Sequence, residues 1–470
     1  MDFTPSDRVA ELRERVRFFI DEHVLPVEAE GLAALDSDVR PGLAYPEILV
    51  DLREQARAEG LWNLFLPDEE HGPGLTNWEY GMLCEDMGRS PYFAPMVFNC
   101  GAPDTGNMEI LAEYGTPGQK ERWLEPLLHR HSRSCFAMTE PETAGSDPTG
   151  LAARAELEGG TRAGGGTRAG TGEWVINGHK WFTSGYNGAD VAIAMVITDP
   201  EAAPHKRASM ILVPVDTPGF EGVRPVPVMG HSAGPGHWEV TYEDVRVPEE
   251  NLLGPRGEGF SIAQARLGPG RIHHCMRAIG SAERAFELMC ERAHEREAFG
   301  GKLADKQFIQ DFVAKSRMEI DSARWMVLHA AWKMDTEGKR AARQEISMIK
   351  VIAAQMHQEV LDRAMQVHGA LGMSDDTPLA GLWRQGRWLR IADGPDEVHK
   401  MVIATRELNR FKPRAAGGAQ PDAVRRAPQR ESLGKAQPDA VRRASQRERL
   451  GGAQPDAVRR ASHPQTPVGV

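Results

Sequence analysis

The stretch from Phe136 to Asp147, FAMTEPETAGSD, gathers hydroxyls, small side chains and a proline-containing turn. A chain with little Cβ bulk can approach a bound group closely. Its backbone N–H groups and Thr or Ser hydroxyls can hydrogen-bond a polar ring edge or a phosphate. Further on, Trp181-Phe182-Thr183 closes an alternating, strand-like run and adds a flat apolar wall beside another hydroxyl. A planar, hydrogen-bonding cofactor needs these parts. Taken singly, each piece also reads as an ordinary surface turn followed by a core strand.

Several elements must position these residues. Val9, Leu12, Val16 and Ile20 recur at helical spacing, and Pro46-Glu47 opens another helical pattern through Leu52 and Ala56. His71-Gly-Pro-Gly-Leu75 reads as a loop before a helix that starts near Trp78. Residues 1–132 are therefore expected to form an N-terminal helical domain. Over 133–252 the pattern turns to strands. Trp174-Val175-Ile176, an Asn177-Gly178 turn and His179 to Thr183 predict a hairpin, and Val191 to Ile197 and Met210 to Val215 are β-rich. Helical patterning returns over 253–412, with Ile279 to Glu297, Gln307 to Thr336 and Ala341 to Leu371 each long enough for a bundle. The expected fold is α+β and multidomain: a helical domain, a central β-barrel or sandwich, and a C-terminal four-helix bundle.

The chain has 470 residues, 41% hydrophobic and 26% charged, as a soluble globular protein has. No apolar run is long enough to span a bilayer. The first residues read as an amphipathic helix rather than a secretion signal or transit peptide, so a cytoplasmic location is expected. The five cysteines, Cys84, Cys100, Cys135, Cys275 and Cys290, show no CxxC pair and no metal-ligand spacing with histidine, which points to buried thiols and no metal site. A net charge of −11 argues against a general nucleic-acid binder. From Pro413 onward lie 11 Lys/Arg and 5 Asp/Glu, so the body is more acidic than the whole. GGTRAG occurs twice in tandem at 159–170 and reads as a lengthened loop; AQPDAVRRA recurs at 419, 436 and 453. Residues 413–470, poor in large apolar side chains, are expected to be a disordered repeat tail.

Five separated motifs together resemble the acyl-CoA dehydrogenase family over about residues 5–412. They are Thr116-Pro-Gly-Gln-Lys120 with Trp123-Leu-Glu-Pro-Leu127, FAMTEPETAGSD, Trp181-Phe182-Thr183, Arg296-Glu-Ala-Phe299-Gly300 with Lys306-Gln307, and Gln366-Val-His-Gly369-Ala370-Leu-Gly372. The resemblance implies FAD as cofactor and α,β-dehydrogenation of an acyl-CoA thioester to the trans-2-enoyl-CoA. By motif position it places Phe136, Met138 and Thr139 at the flavin, with Thr139 at the pyrimidine edge. Gly145 and Ser146 fall near cofactor phosphate or the CoA arm. Trp181 and Phe182 cover a flavin face, with Thr183 near N5. Arg296 would pair with the FAD pyrophosphate beside Phe299 and Gln307, a task that suits a guanidinium fork, while Gln366, Gly369 and Ala370 form a second FAD loop. Family tetramers share the Arg296 and Phe299 site between subunits, so a homo-oligomer, dimer or tetramer, is implied, as is electron-transfer flavoprotein as electron acceptor.

In much of the family the base is a Glu followed by Gly near the end of the chain. The matching place here reads Arg390-Ile-Ala-Asp393-Gly394-Pro395-Asp396-Glu397-Val-His399. Asp393 takes the Glu position, one methylene shorter, and Gly394 supplies the neighbouring backbone N–H for the substrate carbonyl. Pro395, Asp396 and Glu397 lie at the cofactor, and Glu397 competes for the role of base. Another branch places its base one residue before an Arg matching Arg271, but Gly270 stands there. Asp393-Gly394-Pro395 also suits a simple turn.

The longer TEPETAGSD, Arg266-Leu-Gly-Pro-Gly-Arg-Ile-His-His-Cys275 and Ala392-to-His399 look like the dehydrogenase domain of family members ten and eleven. The kinase-like N-terminal domain of those animal proteins is not expected here. That resemblance implies 4-hydroxyacyl- or 4-phosphoacyl-CoA substrates, or plain medium-to-long acyl-CoAs. Arg271, His273, His274 and Arg277 fall within two helical turns, and one face could receive a substrate or CoA phosphate; ordinary polar helix residues are the alternative. Two other functions stay open: a flavin oxidase of the same fold, acting on acyl-CoA or nitroalkane, and a non-catalytic binding protein.

Overall fold

The computed structural model describes residues 4–36, 45–159, 172–230 and 236–412. Beyond its first glycine the GGTRAG repeat lies outside them, as does the whole AQPDAVRRA tail. Helices α1 (Asp7–Phe19), α2 (Glu28–Asp36), α3 (Glu47–Ala58), α4 (Asn77–Met87), α5 (Phe93–Val97), α6 (Asp104–Tyr114), α7 (Pro117–Gln119) and α8 (Glu125–Leu128) come first. Val9 and Val16 are buried, as their spacing predicts. Thr76 and Thr116 each form a reciprocal capping box, with Glu79 and Gln119, that satisfies orphan N–H groups at the helix starts.

Strands β1 (Ser134–Ala137), β2 (Arg154–Glu158), β3 (Glu173–Ser184), β4 (Val191–Ile197), β5 (Ala208–Pro214), β6 (Phe220–Pro225), β7 (His237–Pro248) and β8 (Leu252–Leu253) build one sheet. Their order is β6-β7-β3-β1-β4-β5-β8, with β2 pairing β3 and β4. β4 is buried along its whole length and so reads as a continuous apolar run. Its alternation still has a use: Val191, Ile193, Met195 and Ile197 join the helical core, while Ala192, Ala194 and Val196 join a second core with Trp174, Ile176, Val240 and Val245.

Asn177-Gly178 is not the expected hairpin turn. β3 runs unbroken through it as a strand of 12 residues, with a register shift between Ile176 and Gly178. Gly178 is required because a Cβ there would overlap the Ala153 side chain. Asn177 Nδ2 donates to Asp244 Oδ1 (3.0 Å) and its Oδ1 accepts from Asp244 N–H (2.9 Å), so the Asn answers the facing strand rather than a turn.

After β8 come α9 (Gly259–Glu295), a short hairpin of β9 (Glu297–Ala298) and β10 (Gly301–Lys302), then α10 (Gln307–Glu337), α11 (Arg343–His368), α12 (Leu379–Leu389) and α13 (Asp396–Arg410). α9 starts at Gly259, not near Ile279. Gly268-Pro269-Gly270 looks like a break, yet the helix passes through Pro269 with Ile262, Ile272 and Met276 buried on either side. Packing here overrides the weak intrinsic propensity of that triplet. α4 and α9 approach closely: a Cβ on Gly280 would overlap Glu85 O, and one on Gly88 the Arg277 backbone. Among the described residues no helix is long and apolar enough to cross a membrane.

Candidate active site

Asp393 lies in the connection between α12 and α13. Ile391 and Ala392 N–H donate to Trp388 O (2.8 and 2.9 Å), and Asp396 N–H donates to Arg390 O (3.1 Å). Arg390 Nε donates to Asp396 Oδ2 (2.9 Å) and closes the turn. Asp393 and Gly394 take φ of 56° and 101°, a left-handed pair that Asp tolerates and Gly adopts freely. A Cβ on residue 394 would also sit 2.9 Å from His399 Nε2. Two donors hold the Asp393 carbonyl: Arg271 Nε at 2.9 Å and His399 Nε2 at 3.3 Å. Lys350 Nζ donates to Leu389 O and ties α11 to the end of α12.

The Asp393 side chain faces α9, with Oδ2 3.6 Å from His274 Nε2. Burial pushes this carboxyl up, but His274, Arg271, Lys350 and Arg266 together hold it below its usual range. Burial and Arg277 push His274 itself down to about 3, so at neutral pH the positive field on Asp393 comes from Arg271, Lys350 and Arg266. Glu397, in the first turn of α13, is exposed, while Asp396 is buried against Arg390.

The expected single cationic face is split, because consecutive helix residues point about 100° apart. His273 is buried edge-on to Tyr80, ring centroids 4.6 Å apart, and burial holds it well below the ordinary histidine range. Arg277 turns inward, to Cys84 Sγ at 3.8 Å and His274 Nδ1 at 3.1 Å. Arg271 and His274 stay together at Asp393.

On the sheet side, the two opening motifs are joined by reciprocal bonds. Thr139 Oγ1 donates to Trp181 O (2.7 Å), and Trp181 N–H donates to Thr139 O (3.0 Å). Between them Lys180 Nζ reaches Glu140 Oε1 (2.8 Å), Met138 O (2.9 Å) and Met195 O (2.7 Å). Glu140 in turn accepts from Ala152 and Ala153 N–H (2.6 and 2.9 Å). Both side chains are buried, at 0% and 1% exposure; burial drives Lys180 down to about 8 although Glu140 pulls it up. Gly145 and Ser146 are exposed at the end of this segment, and the Arg266 guanidinium lies 4.2 Å above the Phe136 ring.

A register shift between Lys180 and Thr183 and a φ of 47° at Phe182 turn the aromatic pair outward. Trp181 is half-buried, Phe182 is 40% exposed, and their rings meet edge-on at 5.0 Å. Thr183 is fully buried, yet its Oγ1 has no hydrogen-bond partner. Beside an exposed aromatic pair this hydroxyl fits the polar edge of a flavin ring.

The remaining candidates sit elsewhere. Arg296 caps α9 and is exposed, Phe299 in the β9–β10 hairpin is 100% exposed with φ 51°, and Gln307 opens α10. Gln366, Gly369 and Ala370 are exposed where α11 ends, at a Gly369 φ of 65°. One core pins both loops to the same end of the bundle: Ala285, Met289, Ala293, Leu361, Ala364 and Val367, with Leu303 and Phe312 against it. At 1.5 Å rise per residue, roughly 36 Å of helix separates Glu295 from Arg271. Within this chain, that group does not meet Asp393.

Sequence reasoning missed Arg266, Lys350 and the donor role of His399. A signal existed for the first two: each is a lone basic residue on the apolar side of a helical pattern, Arg266 in the Gly-Pro-Gly segment and Lys350 within Ile-Ser-Met-Ile-Lys-Val-Ile.

Three family models match in sequence: the acyl-CoA dehydrogenase N-terminal domain over residues 6–131, the middle domain over 135–245 and the C-terminal domain over 257–408. A Mycobacterium tuberculosis protein named probable acyl-CoA dehydrogenase FadE2 is 48% identical over 416 residues, 88% of this chain and 98% of its own. Acyl-CoA dehydrogenase family member 10 of Mus musculus is 49% identical over 411 residues, 86% of this chain but 37% of that protein. Family member 11 of Rattus norvegicus is 46% identical over 413 residues, again 86% of this chain and 51% of its own length. The chain thus spans about half or less of those two animal relatives. A solved structure from Mycobacterium abscessus, assigned to the acyl-CoA dehydrogenases, is 48% identical with a TM-score of 0.81, covering 87% of this chain and all of that one. Butyryl-CoA dehydrogenase from Megasphaera elsdenii follows the same fold at 26% identity and a TM-score of 0.72, covering 87% of this chain and 100% of its own. Members of this family are flavoproteins that act on acyl-CoA substrates. The chain belongs to the acyl-CoA dehydrogenase family of oxidoreductases.

Proposed function

We propose that the chain oxidises an acyl-CoA thioester to the trans-2-enoyl-CoA, with FAD as bound oxidant and Asp393 as the base. One observation carries this reading: the Asp393 carboxyl is buried yet held ionised by Arg271, Lys350 and Arg266, on a turn whose geometry is fixed. The chemistry that FAD supplies when bound is acceptance of the β-hydrogen as a hydride at flavin N5. Asp393 takes the pro-R α-proton onto a carboxylate oxygen, and the C–H electron pair moves toward the thioester carbonyl. Gly394 N–H donates to that carbonyl oxygen, where negative charge builds.

Phe136, Met138, Thr139, Trp181, Phe182 and Thr183 hold the flavin ring, the Thr183 hydroxyl partnering its edge. Pro395, Asp396 and Glu397 border the same pocket, and Gly145 and Ser146 take a phosphate or the CoA arm. Arg296, Phe299 and Gln307, with Gln366, Gly369 and Ala370, lie too far along the bundle to share a cofactor with Asp393 of the same copy. They serve the FAD of a second copy, which makes the protein a homo-oligomer with sites completed in trans. Arg271, with His274 beside it, suits a hydroxyl or phosphate on carbon 4 of the acyl chain, so 4-hydroxyacyl- and 4-phosphoacyl-CoA are the favoured substrates. Electron-transfer flavoprotein is the proposed acceptor.

Anaerobic mixing with plain, 4-hydroxy and 4-phospho acyl-CoAs tests this reading. At least one should bleach the flavin absorbance; bleaching by none contradicts the proposed reaction. Because an Asp base also suits a flavin oxidase of the same fold, the reduced protein should be offered both acceptors. Reaction with O2 as fast as with electron-transfer flavoprotein would favour the oxidase.

A further inference from the structure

We infer that Arg277 fixes the tautomer of His274 so that the imidazole aims an N–H at the Asp393 carboxylate, which makes His274 a positioning residue for the base. The inference rests on the reading of Asp393 as base given above.

The chemistry of the two partners decides the tautomer. A guanidinium carries only donors, and Arg277 Nη2 lies 3.1 Å from His274 Nδ1. Nδ1 must therefore accept, and the single proton of the neutral ring sits on Nε2. That nitrogen faces Asp393 Oδ2 at 3.6 Å. This is longer than a hydrogen bond, as contacts at catalytic groups often are before substrate binds.

Arg277 has little freedom to do otherwise. It is buried, its Nη1 meets Cys84 Sγ at 3.8 Å, and its backbone lies where a Cβ on Gly88 would overlap it. The His274 ring stands edge-on to Trp388 at 5.5 Å, and Trp388 Nε1 donates to Tyr92 OH at 3.0 Å. Ring plane and tautomer are thus set from two sides.

The division of labour on Asp393 follows. Arg271 and His399 hold its backbone carbonyl, while His274 meets the side-chain oxygen. The titratable and charged groups around the pair are Arg266, Arg271, His273, Cys275 and Arg277 of α9, Lys350 of α11 with Arg343, and Asp396 and His399 of α13. Protonating His274 would set a cation among Arg277, Lys350 and Arg266. His274 therefore stays neutral and donates; it does not carry away the proton that Asp393 takes up.

Two measurements on the FAD-loaded protein test this. In 15N-histidine NMR, His274, assigned by its loss in His274→Gln, should show a pyridine-type Nδ1 and a protonated Nε2 throughout neutral pH. The opposite tautomer, or an imidazolium, overturns the inference. In pH profiles of kcat/KM, His274→Leu should move the acid limb up by about one pH unit, because the carboxylate loses a donor. His274→Gln, whose amide N–H falls near Nε2, should restore the limb; a Leu profile that matches wild type overturns the role. Asp393→Asn separates the two levels. If it abolishes flavin reduction while the Leu profile is unmoved, only the positioning role fails. If it stays active, the base reading fails and takes the inference with it.

Discussion

His273, His274 and His399 are each driven well below the ordinary histidine range, first by burial and then by a neighbouring arginine, Arg277 for the first two and Arg271 for the third. The site thereby gains N–H donors without gaining charge, and the positive charge around Asp393 comes from Arg271, Lys350 and Arg266. Glu109 is the opposite case. It lines a cavity of about 360 Å³ with Tyr80, His273 and Lys339. Burial lifts it from 4.5 to about 8, against the pull of Arg266 and Lys339. Because the folded value is the higher, this group's contribution to stability is complete below pH 4.5 and is lost as pH rises through about 8. Melting temperature should therefore fall more steeply over that interval for wild type than for Glu109→Gln, as thermal denaturation across a pH series would reveal. Equal slopes would refute this account of Glu109. Asp393, Gly394 and Arg271 could be located from their motifs, but Arg266 and Lys350, each legible only as a lone basic residue in an apolar pattern, could not be tied to the site. Lys350 comes from α11 and Arg266 from the far side of a Gly-Pro-Gly triplet, and only tertiary packing brings them in.

At the level of elements, β4 was legible as a β-rich run but its two faces were not, because the strand is apolar throughout and the fold puts a core on each face. Two elements resisted, both because a local signal lost to packing. Asn177-Gly178 looks like a turn but serves a close approach by Ala153, and Gly268-Pro269-Gly270 looks like a break but lies inside α9. The Lys180–Glu140 pair was not legible either, since nothing in the spacing says that both side chains are buried. This pair fastens the FAMTEPETAGSD segment to β3 and β4. Lys180→Met should cost about 3–5 kcal/mol, because Glu140 is left as an uncompensated buried charge. Replacing both, with Glu140→Leu added, should recover part of that loss. Chemical denaturation gives the stabilities, and FAD retained on gel filtration reports the segment. A single variant as stable as wild type would show that the clamp contributes nothing.

On the scale of the whole molecule, the candidate residues fall into two groups at separate places along the helical bundle. Arg266 links Asp393 and Arg271 to the Phe136 end of the strand motifs, and Arg296, Phe299, Gln307 and Gln366 gather beyond the end of α9. If a second copy completes each site, Asp393→Asn and Arg296→Ala should complement each other. Each variant alone should be inactive, and subunit exchange between them should regenerate activity, since a mixed oligomer carries one site with both residues intact. Mixtures that stay inactive after verified exchange would place Asp393 and Arg296 of one and the same copy at one cofactor, against completion in trans. The claim on which the rest depends is that Asp393 removes the α-proton. It is tested most directly by stopped-flow, anaerobic mixing of FAD-loaded wild type and Asp393→Asn with a reactive acyl-CoA, following the flavin absorbance. The account predicts that wild type bleaches in a single turnover, while Asp393→Asn keeps its FAD, binds the thioester and stays oxidised. Bleaching of Asp393→Asn at a rate near wild type would contradict it.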